Sequence, residues 1–243
     1  MARRAIGRTW AENIKSTKIS DAKKVNALLW GATATGKTHF LRTVNNVFGL
    51  WTEDGTLTLG DVDIPGIFFD ADMKIYDTMM SIAKSARQNE GIFEEIEAIA
   101  IDSVWKLNQL IMDEILEENN ITAPRIQDWG TLRSRMGAIM NQFISMDKHF
   151  IGTMGETWKE NEQTGLMVPT FNMNGGYASQ IDYEFDFLLH FTAEQRGPKT
   201  IYKAWTRTKD GYKAKTRVKL PDFFENPSFD QLWDAIQASG KES

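Results

Sequence analysis

The apolar run Val25-Asn26-Ala27-Leu28-Leu29-Trp30 breaks into Gly31-Ala32-Thr33-Ala34-Thr35-Gly36-Lys37-Thr38, and no other stretch constrains the chain as much. The octapeptide meets the pattern G-x-x-x-x-G-K-[ST] at every fixed position, with a strand-like run before it and a helix-like run after it. Its chemistry is that of a phosphate cradle. Gly31 and Gly36 permit backbone geometry that a Cβ would block, so successive N–H groups can turn onto an anion. Lys37 would set its ammonium against the β- and γ-phosphates, and the Thr38 hydroxyl would ligate Mg²⁺. Residues 31 to 38 and the adjoining His39 are the candidate phosphate-contacting set.

With 243 residues, 42% apolar and 25% charged, the chain can bury the core of one α/β domain or of two small ones. No apolar run is long enough to span a bilayer. Arg3 and Arg4 lead into polar sequence rather than an apolar h-region, so no signal peptide is read. Cysteine is absent, which excludes disulfides and thiolate metal sites and fits a cytoplasmic protein. His39, His149 and His190 are too scattered to suggest zinc. The net charge of −5 is uneven. Basic residues crowd the first 24 positions and recur as Lys199, Lys203, Arg207, Lys209, Lys213, Lys215, Arg217 and Lys219, while the middle is mostly acidic. Such asymmetry fits either a polyanion-binding face or solvated strand and tail charge.

Along the chain, residues 1 to 24 read as a basic arm with a short helix around Trp10 to Ile14, and residues 25 to 243 as a core closed by a C-terminal helix. Phe40, Leu41, Val44, Val47 and Phe48 recur at helical spacing, with Gly49 as the stop. Residues 50 to 66 read as a turn-rich connection or small hairpin. Ile67 to Asp72 reads as a buried strand, followed by a helix with Ile75, Met79, Ile82 and Ala86 on one face. The run from Ile96 to Ile101 is a second buried strand, and Leu107, Leu110, Ile111 and Ile115 mark the next helix. Leu132, Met136, Ile139, Met140, Phe143 and Ile144 form the clearest helical stripe. Phe150 to Met154 and Phe185 to Phe191 are strand-like, and residues 155 to 180 are irregular and loop-like. Thr200 to Arg207 and Tyr212 to Val218 read as an antiparallel hairpin around Asp210-Gly211. Ser228-x-x-Gln231 is a capping box that opens the last helix. Continuous apolar strands alternating with helices indicate an α/β fold with a mostly parallel sheet.

Two acidic features close strand-like runs, where open α/β sheets place their ligands. Asp102 ends Ile99-Ala100-Ile101 and can hold Mg²⁺ opposite Thr38. Asp70 and Asp72 end Ile67-Phe68-Phe69, and either could orient or deprotonate an attacking water, with Asp72 better placed. The other role for this pair is to cap the helix that follows.

Phe68-Phe69-Asp70-Ala71-Asp72 resembles the strand end that carries the catalytic glutamate of RecA-like recombinases, and Ile99-Ala100-Ile101-Asp102-Ser103-Val104 resembles their Walker B strand. Asp-Ser at 102–103 differs from the Asp-Glu of AAA+ ATPases and sets the chain apart from them. Overall the chain, over roughly residues 25 to 220, resembles small core-only bacteriophage RecA-like ATPases of recombination and single-strand annealing. The resemblance implies a RecA-like fold, ATP and Mg²⁺ as cofactors, and ATP hydrolysis. It also implies a ring or filament of identical subunits, single-stranded DNA and a single-strand-binding or annealing protein as partners, and the host cytoplasm as location. Lys213-Ala214-Lys215-Thr216-Arg217 resembles the cationic strand such assemblies insert into a neighbour's nucleotide, which makes Lys215 and Arg217 trans-acting catalytic candidates. The γ-phosphate sensor would be Thr153 or Glu156. By position, residues 119 to 128 and 156 to 180 would meet DNA through Trp158, Phe171, Tyr177, Lys159 and Arg125, unless those aromatics are core. Where the family carries glutamate this chain has Asp72, which is shorter by one methylene. Two other readings stay open: a nucleotide-switched protein-binding module with slow hydrolysis, and a P-loop small-molecule kinase.

Overall fold

The computed structural model describes residues 24–70, 72–160 and 165–240. The expected basic arm and its short helix lie outside these residues, apart from Lys24. In chain order the elements are β1 (Asn26–Gly31), α1 (Lys37–Leu41), β2 (Val47–Trp51), β3 (Gly66–Phe68), α2 (Ile75–Gln88), β4 (Ala98–Asp102) and α3 (Val104–Glu118). There follow α4 (Ile126–Ile144), β5 (His149–Glu160), β6 (Met167–Phe171), α5 (Ile181–Glu184), β7 (Phe187–Arg196), β8 (Lys199–Trp205), β9 (Phe223–Glu225) and α6 (Phe229–Ser239).

The strands form one sheet in the order β3-β2-β4-β5-β1-β7-β8-β9, with β6 paired to β5. From β3 to β7 every neighbouring pair is parallel, whereas β8, β9 and β6 join antiparallel. The expected α/β class is therefore the one observed, a mostly parallel sheet between helices with antiparallel strands added at the C-terminal side.

Alternation along the strands divides the core in two. Leu28, Trp30, Phe48, Leu50, Ile99 and Ile101 pack under α2, α3 and α4, while Ala27, Leu29, Val47, Trp51, Ala98 and Ala100 pack under α1 and α6. The capping box expected at Ser228 is present at the start of α6, with Gln231 closing it from the third position. The stripes predicted for α2, α3 and α4 are their buried faces.

Several boundaries differ from the sequence reading. The helix predicted to run to Gly49 stops at Leu41, and Val47 to Trp51 is instead a fully buried strand. Its glycine has a packing role: the Trp51 indole lies across Gly49 and Gly66 of adjacent strands. A Cβ at Gly49 would stand 2.0 Å from Trp51 Cζ2, and one at Gly66 2.5 Å from Trp51 Nε1. Residues 50 to 66 hold the end of β2 and a 3₁₀ turn (Gly55–Leu59) rather than a hairpin. The expected buried strand at Ile67 is the short edge strand β3, with Phe68 53% exposed. Residues 155 to 180 are not a loop throughout, because β5 continues to Glu160 and pairs with β6. The C-terminal hairpin is β7–β8, turning at Gly197, and the backbone of residues 212 to 218 meets β7 in an isolated bridge between Leu188 and Lys215 instead of a paired strand.

Because Trp51 occupies the space a Cβ at Gly49 would need, Gly49→Ala overpacks this core. We expect a loss of about 1–3 kcal/mol in urea unfolding, and an unchanged midpoint would show that the indole moves aside freely.

Candidate functional site

The loop between β1 and α1 closes on itself through short hydrogen bonds. Thr35 Oγ1 donates to Ala32 O at 2.8 Å, and Lys37 Nζ donates to Gly31 O at 2.9 Å and Ala32 O at 2.6 Å. Gly36 sits at φ +91° and Gly31 at φ +147°, where a side chain would be strained. A Cβ at Gly31 would also lie 2.3 Å from Phe191 O on β7. Burial pushes the Lys37 ammonium below its usual value, against the opposing pull of Asp102, Glu156 and Glu53. The loop is a cradle with its lysine folded across the opening.

Asp102 ends β4 on the α1 side of the sheet. Thr38 Oγ1 donates to its Oδ2 at 2.8 Å, and Thr153 of β5 donates to its Oδ1. Burial holds the Asp102 carboxyl above the usual carboxylate range, opposed by the hydrogen bonds from Thr153 and Thr38. Thr38 and Asp102 are thus brought together as expected. Thr153, expected as a phosphate sensor, is fully buried and spends its hydroxyl on Asp102. Of the two sensor candidates, it is Glu156 whose charge reaches Lys37.

A third acid arrives from β2. Thr52 accepts from Ser103 N at 2.8 Å and donates to Ser103 O at 2.9 Å, which locks the ends of β2 and β4 together. One residue further, the Glu53 carboxylate accepts from Ser103 Oγ. Glu53, Asp102 and Glu156 are the acids that act on Lys37, whereas Asp70 and Asp72 are not among them. Those two follow the edge strand β3, exposed, with Asp70 Oδ1 accepting from the Asp72 backbone at 3.0 Å. The sequence reading placed the water-activating acid on Asp72; in the sheet it is β2 and not β3 that lies beside β4, so the acid following β2 is the one that meets Ser103 next to Asp102. The position of Glu53 also carried a sequence signal. Val47 to Trp51 followed by Thr52-Glu53 has the same form as Ile99-Ala100-Ile101-Asp102, an apolar run closing in an acid.

The family described as AAA domain matches residues 23–218. The chain belongs to this family. Sequence reasoning set the chain apart from AAA+ proteins on Ser103, and the family it matches is described as an AAA domain. An acid does stand beside Asp102 in this AAA domain, but it reaches the site from β2 and accepts a hydrogen bond from Ser103. No curated protein matches the chain. Among solved structures it is similar to a KaiC-like protein from Pyrococcus horikoshii OT3, at 11% identity and a TM-score of 0.42, over 84% of this chain and 89% of the other. It is also similar to the flagellar accessory protein FlaH from Methanocaldococcus jannaschii, at 14% identity and a TM-score of 0.36, over 83% of this chain and 84% of the other. Among the described residues of the AAA domain, no helix is long and apolar enough to cross a membrane.

The remaining candidates are scattered. Lys213, Lys215 and Arg217 share a face, as alternation implied, and that face meets α5 and its exit. Lys213 Nζ lies 3.3 Å from Asp182 Oδ2, Lys215 Nζ donates to Asp182 O, and Arg217 Nε lies 2.6 Å from Asp186 Oδ1. Phe171 and Tyr177 belong to the core, and the Tyr177 hydroxyl bonds Glu184. Trp158 is 48% exposed on the β5–β6 hairpin. Arg125 closes a capping box with Asp128 at the start of α4.

His190 on β7 is buried beside this site. Its Nε2 lies 3.6 Å from Glu156 Oε2, and Tyr212 stacks on its ring at 3.9 Å. Burial, helped by the Lys37 charge, pushes it down to about 4. A depressed histidine stays neutral in the fold, so its contribution is complete above an unfolded value of about 6.5 and is lost as pH falls toward the folded value. At ~1.4 kcal/mol per pH unit the loss is on the order of 3 kcal/mol. We expect His190→Gln to flatten the decline of urea stability between neutral pH and pH 4. His149, lowered chiefly by burial, would supply the residual slope. Equal slopes in both proteins would contradict this account.

Proposed function

We propose that this AAA-domain chain binds and hydrolyses ATP with Mg²⁺, as a RecA-like oligomer acting on single-stranded DNA in recombination or annealing. The observation that carries the reading is the direct hydrogen bond from Thr38 to Asp102, with Glu53 latched beside it through Ser103. A hydroxyl and a carboxylate oxygen are the hard ligands that Mg²⁺ accepts, so both residues fit that ion. Thr38 and Asp102 would hold Mg²⁺, which would supply positive charge against that developing during phosphoryl transfer. Lys37 exchanges its contacts with Gly31 O and Ala32 O for phosphate oxygens. Glu53 orients or deprotonates the attacking water, in the role first read onto Asp72 and Asp70. A cleft lined by Trp51, Thr52, Glu53, Phe68, Phe69 and Trp105 leads solvent to that carboxylate.

Lys215 and Arg217 serve a neighbouring subunit's nucleotide in this reading, and must first leave Asp182 and Asp186. An isolated subunit is then a slow ATPase. Single-stranded DNA lies along the β5–β6 hairpin, where exposed Trp158 and the adjacent Lys159 offer a stacking face and a cation.

Phosphate-release assays test the roles. Lys37→Ala should abolish turnover. Glu53→Gln should lower it by roughly 10²–10⁴ with ATP still bound, while Asp72→Asn leaves it unchanged. The reverse ranking of the last two would return the base to the edge loop. In the assembled protein, Lys215→Ala or Arg217→Ala should cost on the order of 10³–10⁵ in rate without weakening ATP binding to the monomer. Unchanged turnover there would remove the trans-acting role. Turnover that ignores saturating single-stranded DNA, with no salt-sensitive DNA binding, would favour a nucleotide-switched protein-binding module.

A further inference from the structure

The phosphate loop has two flanks of opposite character. The three acids that act on Lys37, namely Asp102, Glu53 and Glu156, stand on β4, just beyond β2 and on β5. On the other flank, beyond β1 and β7, lies β8, and its Tyr202 touches the loop. A Cβ at Gly36 would stand 2.9 Å from Tyr202 Cδ1 and 3.1 Å from Cγ, so the loop glycine rests directly on the ring. The His39 ring lies nearly parallel to that of Tyr202, with centroids 6.1 Å apart and planes 25° from each other. His39 is exposed and Tyr202 half-buried.

The position of Tyr202 is held from below. Tyr202 N donates to Asn226 Oδ1 at 3.2 Å, and Asn226 N donates to Tyr202 O at 2.7 Å. Ala204, two residues along the same face, is fully buried in the α1-side core. The strand position that carries the ring is therefore held beside the phosphate cradle, and the ring is paired with a second, exposed one.

This inference rests on the nucleoside triphosphate reading above. In that reading the reacting end of the ligand lies among the acids, at Asp102 and Glu53. The α-phosphate and nucleoside then leave on the opposite flank, toward β7 and β8. We propose that Tyr202 is the seat of the nucleobase, which stacks on its ring with His39 as the exposed outer wall. Every base has a π-face, so such a seat supplies affinity for the nucleoside end without reading a hydrogen-bond pattern.

Calorimetric titration of the full chain with ATP and with inorganic tripolyphosphate separates the seat from the cradle. Tyr202→Ala should weaken ATP on the order of tenfold and leave tripolyphosphate affinity unchanged, because stacking on one aromatic ring carries about that much. Tyr202→Phe should bind both ligands as the unaltered chain does, and Lys37→Ala should lose both. Unchanged ATP affinity in Tyr202→Ala would overturn the proposal. Equal weakening of both ligands would also overturn it, since the ring would then only support Gly36. Failure of the unaltered chain to bind either ligand would instead sink the nucleotide reading, and this inference with it.

Discussion

A half-buried carboxylate organises this molecule. Asp102 is held by two hydroxyls, Thr38 from the helix after the phosphate loop and Thr153 from the strand inserted between β1 and β4. Taking a carboxylate out of water is costly unless hydrogen bonds replace its hydration. Both oxygens of Asp102 are occupied, so three elements from distant parts of the chain must meet at one point. Displacing any of them would leave a buried polar atom unpartnered, a loss of about 1–3 kcal/mol or more for a charged group. Two of these groups, the Thr38 hydroxyl and the Asp102 carboxylate, are hard oxygen ligands of the kind the proposed cation takes, so the contacts that stabilise the fold also shape the candidate site.

Around that point the site is graded by charge. Lys37 faces three acids yet is pushed down by burial, while Asp102 is pushed up by burial. Each shift favours the neutral form, as expected where desolvation outweighs the local partners. A polyphosphate with its cation would supply the missing charges. The acids lie to one side of the loop and the Tyr202–His39 rings to the other, so the cradle has a polar end and an aromatic end.

Much of this was legible in the sequence, and the failures are instructive. The loop from Gly31 to Thr38, the Asp102 strand end, the apolar stripes of α2 to α4 and the Ser228 capping box all depend on local spacing, and all were found where expected. The strand β2 was misread because Phe40, Leu41, Val44, Val47 and Phe48 satisfy helical spacing by coincidence, and Gly49 looked like a helix stop. Trp51 explains that glycine, since its indole covers the strand at Gly49 and Gly66. The acid pair at Asp70 and Asp72 follows an apolar run just as Asp102 does, but that run is a short edge strand.

The sequence by itself determined the phosphate loop, the alternation of strands and helices, and the presence of acids at strand ends, because each is encoded in neighbours a few residues apart. Only the tertiary structure decided which acid stands beside Asp102. Strand order is a long-range property, set by how β2, β4 and β5 pair and not by any one of them. Pairing β2 with β4 brings Glu53 to Ser103 and leaves Asp70 and Asp72 at the rim. Inserting β5 turns Thr153 inward to Asp102, and extending the sheet to β8 sets Tyr202 under Gly36. No local pattern carries that information, because a strand's own residues specify its faces and its length but not its neighbours.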